Sequence, residues 1–207
     1  MKIVCMGDSL TEGDYGVLGK SGIANVKLES YPYFLSRSTG WTVVNAGRCG
    51  NRATDYWRYL QSGAVDIRDA DAIVILLGTN GGNDPEQNTP DNEAYFEIVR
   101  YCHTHAPAAT VFLGTPPHAT RNPAMSNCGY ADQAEAAACF VRKVAKQSGD
   151  VLIDLARCSS FCAENEAVMQ PNDGLHFSAV GYETLAKHVE EAIQRYMKHQ
   201  GETHDID

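Results

Sequence analysis

The sequence predicts an α/β protein: a doubly wound parallel sheet of five strands with helices packed on both faces. Three observations predict it. Five short apolar runs alternate with segments that have the spacing or composition of helices. The strongest run, residues 72–77, is apolar at every position, as expected for a strand buried on both faces of a parallel sheet. Glycine closes four of the five runs, at positions 7, 47, 78 and 114.

The individual elements follow from these patterns in chain order. The predicted strands cover residues 3–6, 41–46, 72–78, 110–114 and 151–155. The predicted helices cover residues 28–39, 52–61, 92–105, 130–146 and 178–198. Pro32 falls near the start of its helix, where proline is tolerated, and Ser178 is suited to cap the last helix. The polar segment 14–27 is predicted to be a loop beside the cleft, and the polar tail from His199 to fray.

We expect one domain over residues 1–207. A chain of 207 residues can bury a substantial core, and its composition, 43% hydrophobic and 21% charged, is ordinary for a globular protein. The sequence contains no internal repeat, low-complexity segment or linker that would mark a boundary between domains. Nothing in it indicates an oligomeric state.

The charge and hydropathy of the chain bear on its partners and location. The formal net charge is -9, from 26 acidic and 17 basic residues, which argues against a nucleic-acid partner. No apolar run approaches the ~20 residues that span a bilayer, so no membrane insertion is expected. The first apolar run leads directly into the fold and has none of the features of a signal peptide. A cytoplasmic location is therefore expected.

The seven cysteines form no C-x-x-C pair, so a zinc ribbon or a thioredoxin-like motif is not indicated. We expect reduced, mostly buried thiols and no metal site. The sequence also lacks a P-loop and a G-x-G-x-x-G motif, so no nucleotide cofactor is expected.

Four polar motifs lie at predicted strand ends or before the last helix, and together they indicate acyl transfer. They are Gly7-Asp8-Ser9, Gly47-Arg48-Cys49-Gly50, Gly78-Thr79-Asn80 and Asp173-Gly174-Leu175-His176. Ligands bind at the carboxyl ends of the strands in open α/β sheets, so Ser9 is a candidate nucleophile. A serine at this position can also simply cap the following helix. Serine acyl transfer further requires a base, a group that orients the base, and donors for the oxyanion.

These four motifs, in this order, resemble those of the SGNH hydrolase family, also called GDSL esterases and lipases. The resemblance extends from residue 7 to residue 176. It implies a three-layer α/β/α, flavodoxin-like fold and a serine hydrolase that cleaves esters through an acyl-enzyme, without metal or cofactor.

The resemblance also assigns roles. Ser9 is implied as the nucleophile, His176 as the general base and Asp173 as the carboxylate that orients it. The backbone N–H groups of Ser9 and Gly50 and the side-chain amide of Asn80 are implied as the oxyanion hole.

Some alternatives remain open at these positions. The third motif departs from the family pattern because Asn80 is followed by Gly81, and Asn83, in a second similar motif, can replace Asn80 in the oxyanion hole. Asp173 can instead cap the turn before the last helix. The remaining histidines are treated as surface residues, except that His118 follows the fourth strand and can line the pocket.

The composition of the cleft loops favours a small acyl group, such as acetyl, on a small polar alcohol. These loops are rich in Gly, Asn, Asp, Thr and Pro and poor in large aliphatic residues. Arg48, Arg52 and Arg58 follow the second strand and either meet an anionic substrate or are solvated helix charges. The alternatives are an acyl-CoA thioesterase or lysophospholipase of the same family, or a non-enzymatic flavodoxin-like binding module.

Overall fold

The computed structural model describes residues 1–13, Gly16 and residues 29–204, with side chains up to residue 200. All five strands are parallel, in the order β2-β1-β3-β4-β5, as in flavodoxin-like folds. They are β1 (Lys2–Gly7), β2 (Thr42–Gly47), β3 (Ala72–Leu76), β4 (Thr110–Gly114) and β5 (Val151–Ile153). The predicted α/β class and doubly wound parallel sheet are confirmed.

Seven α-helices and three short 3-10 helices connect the strands within the described part of the chain. The α-helices are α1 (Ser9–Glu12), α2 (Tyr31–Thr39), α3 (Ala53–Gln61), α4 (Pro90–His105), α5 (Ala131–Ser148), α6 (Glu166–Met169) and α7 (Ala179–His204). The 3-10 helices are Cys128–Tyr130, Leu155–Arg157 and Ala163–Asn165.

The pleat of β1 divides the core between the two faces of the sheet. Val4 and Met6 pack into the cluster that α3, α4 and α5 form on one face. Ile3 and Cys5 point the other way, into the cluster that α2 and α7 form. Alternate side chains of a strand face opposite sides of a sheet, so a strand between two helical layers must be apolar at every position. This is the physical reason for the continuous apolar runs.

Several boundaries differ from those predicted. The second helix begins at Tyr31 rather than residue 28, because Pro32 occupies its first turn and Ser30 before it is extended, with φ -68° and ψ 161°. The last helix continues to His204 rather than fraying from residue 199, and its final residues include no proline that would stop it. Ser178 caps this helix as predicted, accepting the N–H of Gly181 at 3.1 Å.

The strands shift by one or two residues. The second lies one residue later than predicted, and the third ends at Leu76. The fifth ends at Ile153 because Asp154 leaves the extended region, with ψ 72°, and a 3-10 helix follows. The loop predicted for residues 14–27 lies outside the described residues apart from Gly16. None of the described helices has both the length and the hydropathy that crossing a bilayer requires.

The prediction of mostly buried thiols is wrong. All seven cysteines are free, but only Cys5 and Cys102 are buried, since most of the others lie on loops rather than on strands or inward helix faces. Cys128, Cys158 and Cys162 are partly buried, and Cys49 and Cys139 are exposed. Among the described residues, no three His, Cys, Asp or Glu side chains are grouped so as to hold a metal ion.

Candidate active site

The carboxyl end of β1 places Ser9 at the edge of the sheet. Asp8, not Ser9, caps α1, because its Oδ1 accepts the N–H of Leu10 at 3.0 Å. Ser9 is the first residue of α1, and its Oγ lies 2.8 Å from Nε2 of His176. The interpretation of Ser9 as a helix cap is therefore contradicted. A Cβ at Gly7 would overlap the side chain of Thr11, so glycine is required for α1 to turn this closely onto β1.

Asp173 and His176 form the second contact of the site. His176 Nδ1 lies 2.6 Å from Oδ2 of Asp173. Only 12% of the His176 side chain and 6% of the Asp173 side chain are exposed. A carboxylate accepts only, so Nδ1 carries the proton and Nε2 is left to accept from the Ser9 hydroxyl. The two residues come from the loop before α7, whereas Ser9 is 167 residues away from His176 in the chain.

Asp173 also holds the turn that precedes α7. Its Oδ1 accepts the backbone N–H groups of Leu175 and His176, both at 2.9 Å. Burial alone would raise the pKa of Asp173. The hydrogen bond from His176 and the charge of His176, together with the two backbone N–H groups, outweigh burial and lower this pKa below its ordinary value. Both interpretations of this residue hold structurally: one oxygen caps the turn and the other bonds to the imidazole.

Asn127 and Gly16 contact the same carboxylate, and the sequence analysis identified neither. Asn127 Nδ2 donates to Oδ2 of Asp173 at 2.8 Å, across 46 residues of sequence. A Cβ on Gly16 would overlap that carboxylate, and the φ of +66° at Gly16 also favours glycine. No motif or periodicity marks either residue, because each contacts Asp173 from a loop distant in sequence; the backbone N–H of Asn127 also donates to the Asp173 carbonyl, at 3.2 Å.

The loop after β4 fastens the Asp173 loop in place. Thr120 donates its backbone N–H to the carbonyl of Gly174 at 2.8 Å, and its hydroxyl to Oε2 of Glu166 at 2.8 Å. His118 bonds through Nε2 to Oε1 of Glu166 at 2.5 Å, and Gln170 Nε2 donates to the carbonyl of His118 at 2.7 Å. His118 lines a cavity of about 650 Å³, but neither Ser9 nor His176 lines that cavity, so it is not the pocket beside Ser9 that His118 is expected to line. His118 does not contact the Ser9–His176 pair in any hydrogen bond of the structure.

The two candidate asparagines of the third motif have different environments. Asn80 is partly exposed, and its Nδ2 donates to the carbonyl of Asn51, next to Gly50, at 3.0 Å. Asn83 is buried, and its Nδ2 is directed at Oδ1 of Asn92 at 3.4 Å. Gly50 has a φ of +76°, a conformation that favours glycine.

The three arginines after β2 have partners within the protein. Arg52 pairs with the buried Asp91 at 3.0 Å and so ties the start of α3 to α4. The Arg48 guanidinium lies over the ring of Tyr59 at 4.7 Å, and Arg58 forms an exposed ion pair with a carboxylate of its own helix at 2.9 Å. These contacts agree better with surface and structural charges than with an anionic substrate.

Asp8 is a second carboxylate beside the site, and it is fully buried. Within the described part of the chain, neither its Oδ2 nor the Thr79 hydroxyl has a hydrogen-bond partner. Burial raises the pKa of Asp8 to about 6, although the N–H of Leu10, the charge of His176 and the polar groups of Thr79 act in the opposite direction.

The fold and the arrangement of Ser9, His176 and Asp173 together have the form of an ester hydrolase. The sequence matches the model of the GDSL-like Lipase/Acylhydrolase family over residues 5–184. The chain belongs to this family, and it is therefore a hydrolase that acts on ester bonds. The family inferred from the four motifs is confirmed, and the alternative of a non-enzymatic binding module is set aside.

Solved structures share the fold over nearly the whole chain. A lipase/acylhydrolase from Enterococcus faecalis is 25% identical, with a TM-score of 0.71 over 94% of this chain and 96% of that chain. A carbohydrate acetylesterase family member from Sinorhizobium meliloti is 19% identical, with a TM-score of 0.70 over 94% and 97%. The M. smegmatis aryl esterase is 19% identical, with a TM-score of 0.72 over 94% and 98%. A comparison with curated proteins found no match.

Asn127→Ala should lower kcat for p-nitrophenyl acetate roughly 10- to 100-fold with little change in KM. A hydrogen bond to a charged group contributes about 1.5–3 kcal/mol, and this one holds the oxygen that bonds to His176. Steady-state kinetics of the purified variant measures the effect. Asn122→Ala, an exposed position in the same loop, is the control and should keep full activity. Equal losses in the two variants would refute the positioning role of Asn127.

Asp8→Asn should change the pH dependence of stability. The folded-state pKa of about 6 lies above the ordinary value of 3.8 for an aspartate, so wild type loses stability as pH rises from about 4 through 6. Asparagine keeps the capping oxygen and removes the charge. As pH rises from 4 to 7.5, the free energy of unfolding of the variant should therefore increase, relative to that of wild type, by on the order of 2–3 kcal/mol. Urea unfolding of both proteins across this range measures it, and a pH-independent difference would contradict it.

Proposed function

We propose that the protein cleaves carboxylic esters through an acyl-enzyme on Ser9, with His176 as general base and Asp173 as the residue that orients it. One observation carries the proposal: Ser9 Oγ lies 2.8 Å from Nε2 of His176, whose Nδ1 lies 2.6 Å from Asp173. Ser9 and His176 are 167 residues apart in the sequence, yet with Asp173 they form a continuous series of hydrogen bonds. The fold alone does not require this series.

The chemistry follows from the positions of these protons. Ser9 Oγ attacks the ester carbonyl carbon while its proton passes to Nε2 of His176. The imidazolium is stabilised by the charge of Asp173, whose pKa lies below its ordinary value, so the carboxylate stays ionised at neutral pH. When the tetrahedral intermediate collapses, Nε2 returns the proton to the departing alkoxide. Water then attacks the acyl-enzyme by the same route, and Ser9 recovers its proton.

The N–H groups of Ser9 and Gly50 and the amide of Asn80 are the proposed oxyanion donors. The hydrogen bond from Asn80 to the carbonyl of Asn51 uses one of its two amide hydrogens and fixes the plane of the amide. The second hydrogen remains to stabilise an oxyanion. The amide of Asn83 is directed at Asn92 in a buried position, which supports Asn80 as the donor. The N–H of Ser9 begins α1 and has no acceptor within that helix.

The preferred substrate is proposed to be a short-chain ester, such as an acetyl ester of a small polar alcohol. The polar and glycine-rich composition of the cleft motifs supports this, since they supply few large aliphatic side chains for a long acyl chain. Two of the solved structures that share the fold are described as a carbohydrate acetylesterase family member and as an aryl esterase.

Hydrolysis of p-nitrophenyl esters from acetate to decanoate by wild type and Ser9→Ala tests the proposal. Wild type should prefer acetate and butyrate, and Ser9→Ala should lose at least about 1,000-fold in kcat with acetate. Ser178→Ala is the matched control. It removes a serine hydroxyl that caps α7 rather than one that contacts His176, and the variant should remain active. Activity that survives Ser9→Ala would refute the acyl-enzyme, and faster cleavage of octanoate than acetate would refute the short-chain preference.

Asn80→Ala and Asn83→Ala distinguish the two candidate donors. Asn80→Ala should lower kcat about 100- to 1,000-fold with an unchanged melting temperature, because loss of one oxyanion donor acts on the transition state. Asn83→Ala should lower the melting temperature, because it removes a buried amide. Parallel kinetics and thermal unfolding of the two variants measure both effects. The reverse pattern would assign the oxyanion hole to Asn83 instead.

A further inference from the structure

A second nucleophile and base lie together away from Ser9. Cys158 follows the 3-10 helix after β5, and its Sγ lies 3.0 Å from Nε2 of His188 on α7. Sequence analysis treated His188 as a surface residue and Cys158 as one of the buried thiols. Both side chains are in fact partly buried, and they contact each other across 30 residues of sequence.

The surroundings of His188 favour a neutral imidazole that can accept a proton. Burial lowers the pKa of His188, and the charge of Lys187 adds to this, whereas Glu191 acts in the opposite direction. Glu191 Oε2 lies 3.9 Å from Nδ1, on the far side of the ring from the thiol. The Ser160 hydroxyl also lies 3.0 Å from Nε2. The thiol and the imidazole are thus placed as a nucleophile and its base, whereas Glu191, at 3.9 Å, is too distant to hydrogen-bond to Nδ1.

Cys158 is accessible from two cavities. One holds about 150 Å³ and is lined by His188, by the charged residues Asp154, Glu191 and Arg195, and by apolar groups that include Ile153 and Ala192. The other holds about 650 Å³ and lies on the side of His118. Neither cavity includes Ser9 or His176 in its lining. A small molecule can therefore reach the thiol without entering the proposed esterase site.

We propose that Cys158, with His188 as its base, is a covalent modification site that adds small α,β-unsaturated carbonyl compounds. The thiol proton passes to Nε2 of His188 as Sγ attacks the β-carbon. A C–S bond forms, the π electrons of the C=C bond move to the enolate, and the imidazolium returns the proton to the α-carbon. The addition is balanced with no leaving group and no oxidant. The cavities of about 150 Å³ and 650 Å³ that Cys158 lines both have room for a small electrophile.

Other thiols of the chain are less suited to this reaction. Burial raises the pKa of Cys5 and of Cys102 to about 12, which leaves almost no thiolate at neutral pH. The pKa of Cys162 is raised by its hydrogen bond with Glu164. Cys49 and Cys139 are exposed, so their reactivity provides the reference for an accessible thiol.

The test is a time course of N-ethylmaleimide addition to the folded full chain, with each cysteine followed by peptide mass spectrometry. In wild type, Cys158 should react about tenfold faster than Cys49 and Cys139 despite its partial burial. His188→Gln should slow Cys158 about tenfold and leave those two rates unchanged. His103→Gln, at another helix histidine, should change none of them.

Two results would overturn the proposal. One is a wild-type rate at Cys158 no greater than those at Cys49 and Cys139, a comparison that needs no variant. The other is an unchanged Cys158 rate in His188→Gln. Labelling of the buried Cys5 and Cys102 in a variant would show that the variant has unfolded. The comparison of the wild-type rates at Cys158, Cys49 and Cys139 then decides whether the proposal holds. Ser9→Ala should leave the Cys158 rate unaltered, since the two sites are separate, whatever the outcome for ester hydrolysis.

Discussion

The buried carboxylate of Asp173 is the group on which the geometry of the site depends. A carboxylate removed from water must be matched by hydrogen-bond donors, and this one has four: two backbone N–H groups, the His176 imidazole and the Asn127 amide. Each donor belongs to a segment whose position is thereby fixed. The turn before α7, the imidazole and the loop after β4 all converge on this one side chain.

The sheet sets the other half of the geometry. β1 lies between β2 and β3, so its carboxyl end faces the ends of both neighbours, where Gly50 and Asn80 follow. Parallel strands in this order bring motifs that are distant in sequence to one edge. The close contact of α1 with the ends of β1 and β2, which glycines at 7 and 47 permit, then seats Ser9 against that edge. The position of Ser9 is thereby constrained, which in the proposed mechanism lowers the cost of reaching the reactive geometry.

Much of this could be predicted from the sequence, and the reasons are physical. Buried parallel strands require continuous apolar runs, so β1, β3 and β4 were evident, and the four motifs at strand ends and before α7 indicated the family. Asn127 and Gly16 were missed because they contact Asp173 from loops that are distant in sequence, which leaves no periodic pattern. The pairing of His188 with Cys158 was missed for the same reason. One domain over residues 1–207, a cytoplasmic location and the absence of a nucleic-acid partner stay predictions.

The separation of the site residues along the chain has a practical consequence. Gly149 is exposed at the end of α5, and no atom lies within 4 Å of where its Cβ would be. A chain cut there leaves Ser9, Gly50 and Asn80 on one fragment and Asp173 and His176 on the other. The edge strand β5 rejoins the sheet through only three residue pairs with β4. The second fragment also carries α7, which shares a buried core with β1 and α2 of the first, so the two pieces keep a large apolar surface through which they can reassociate.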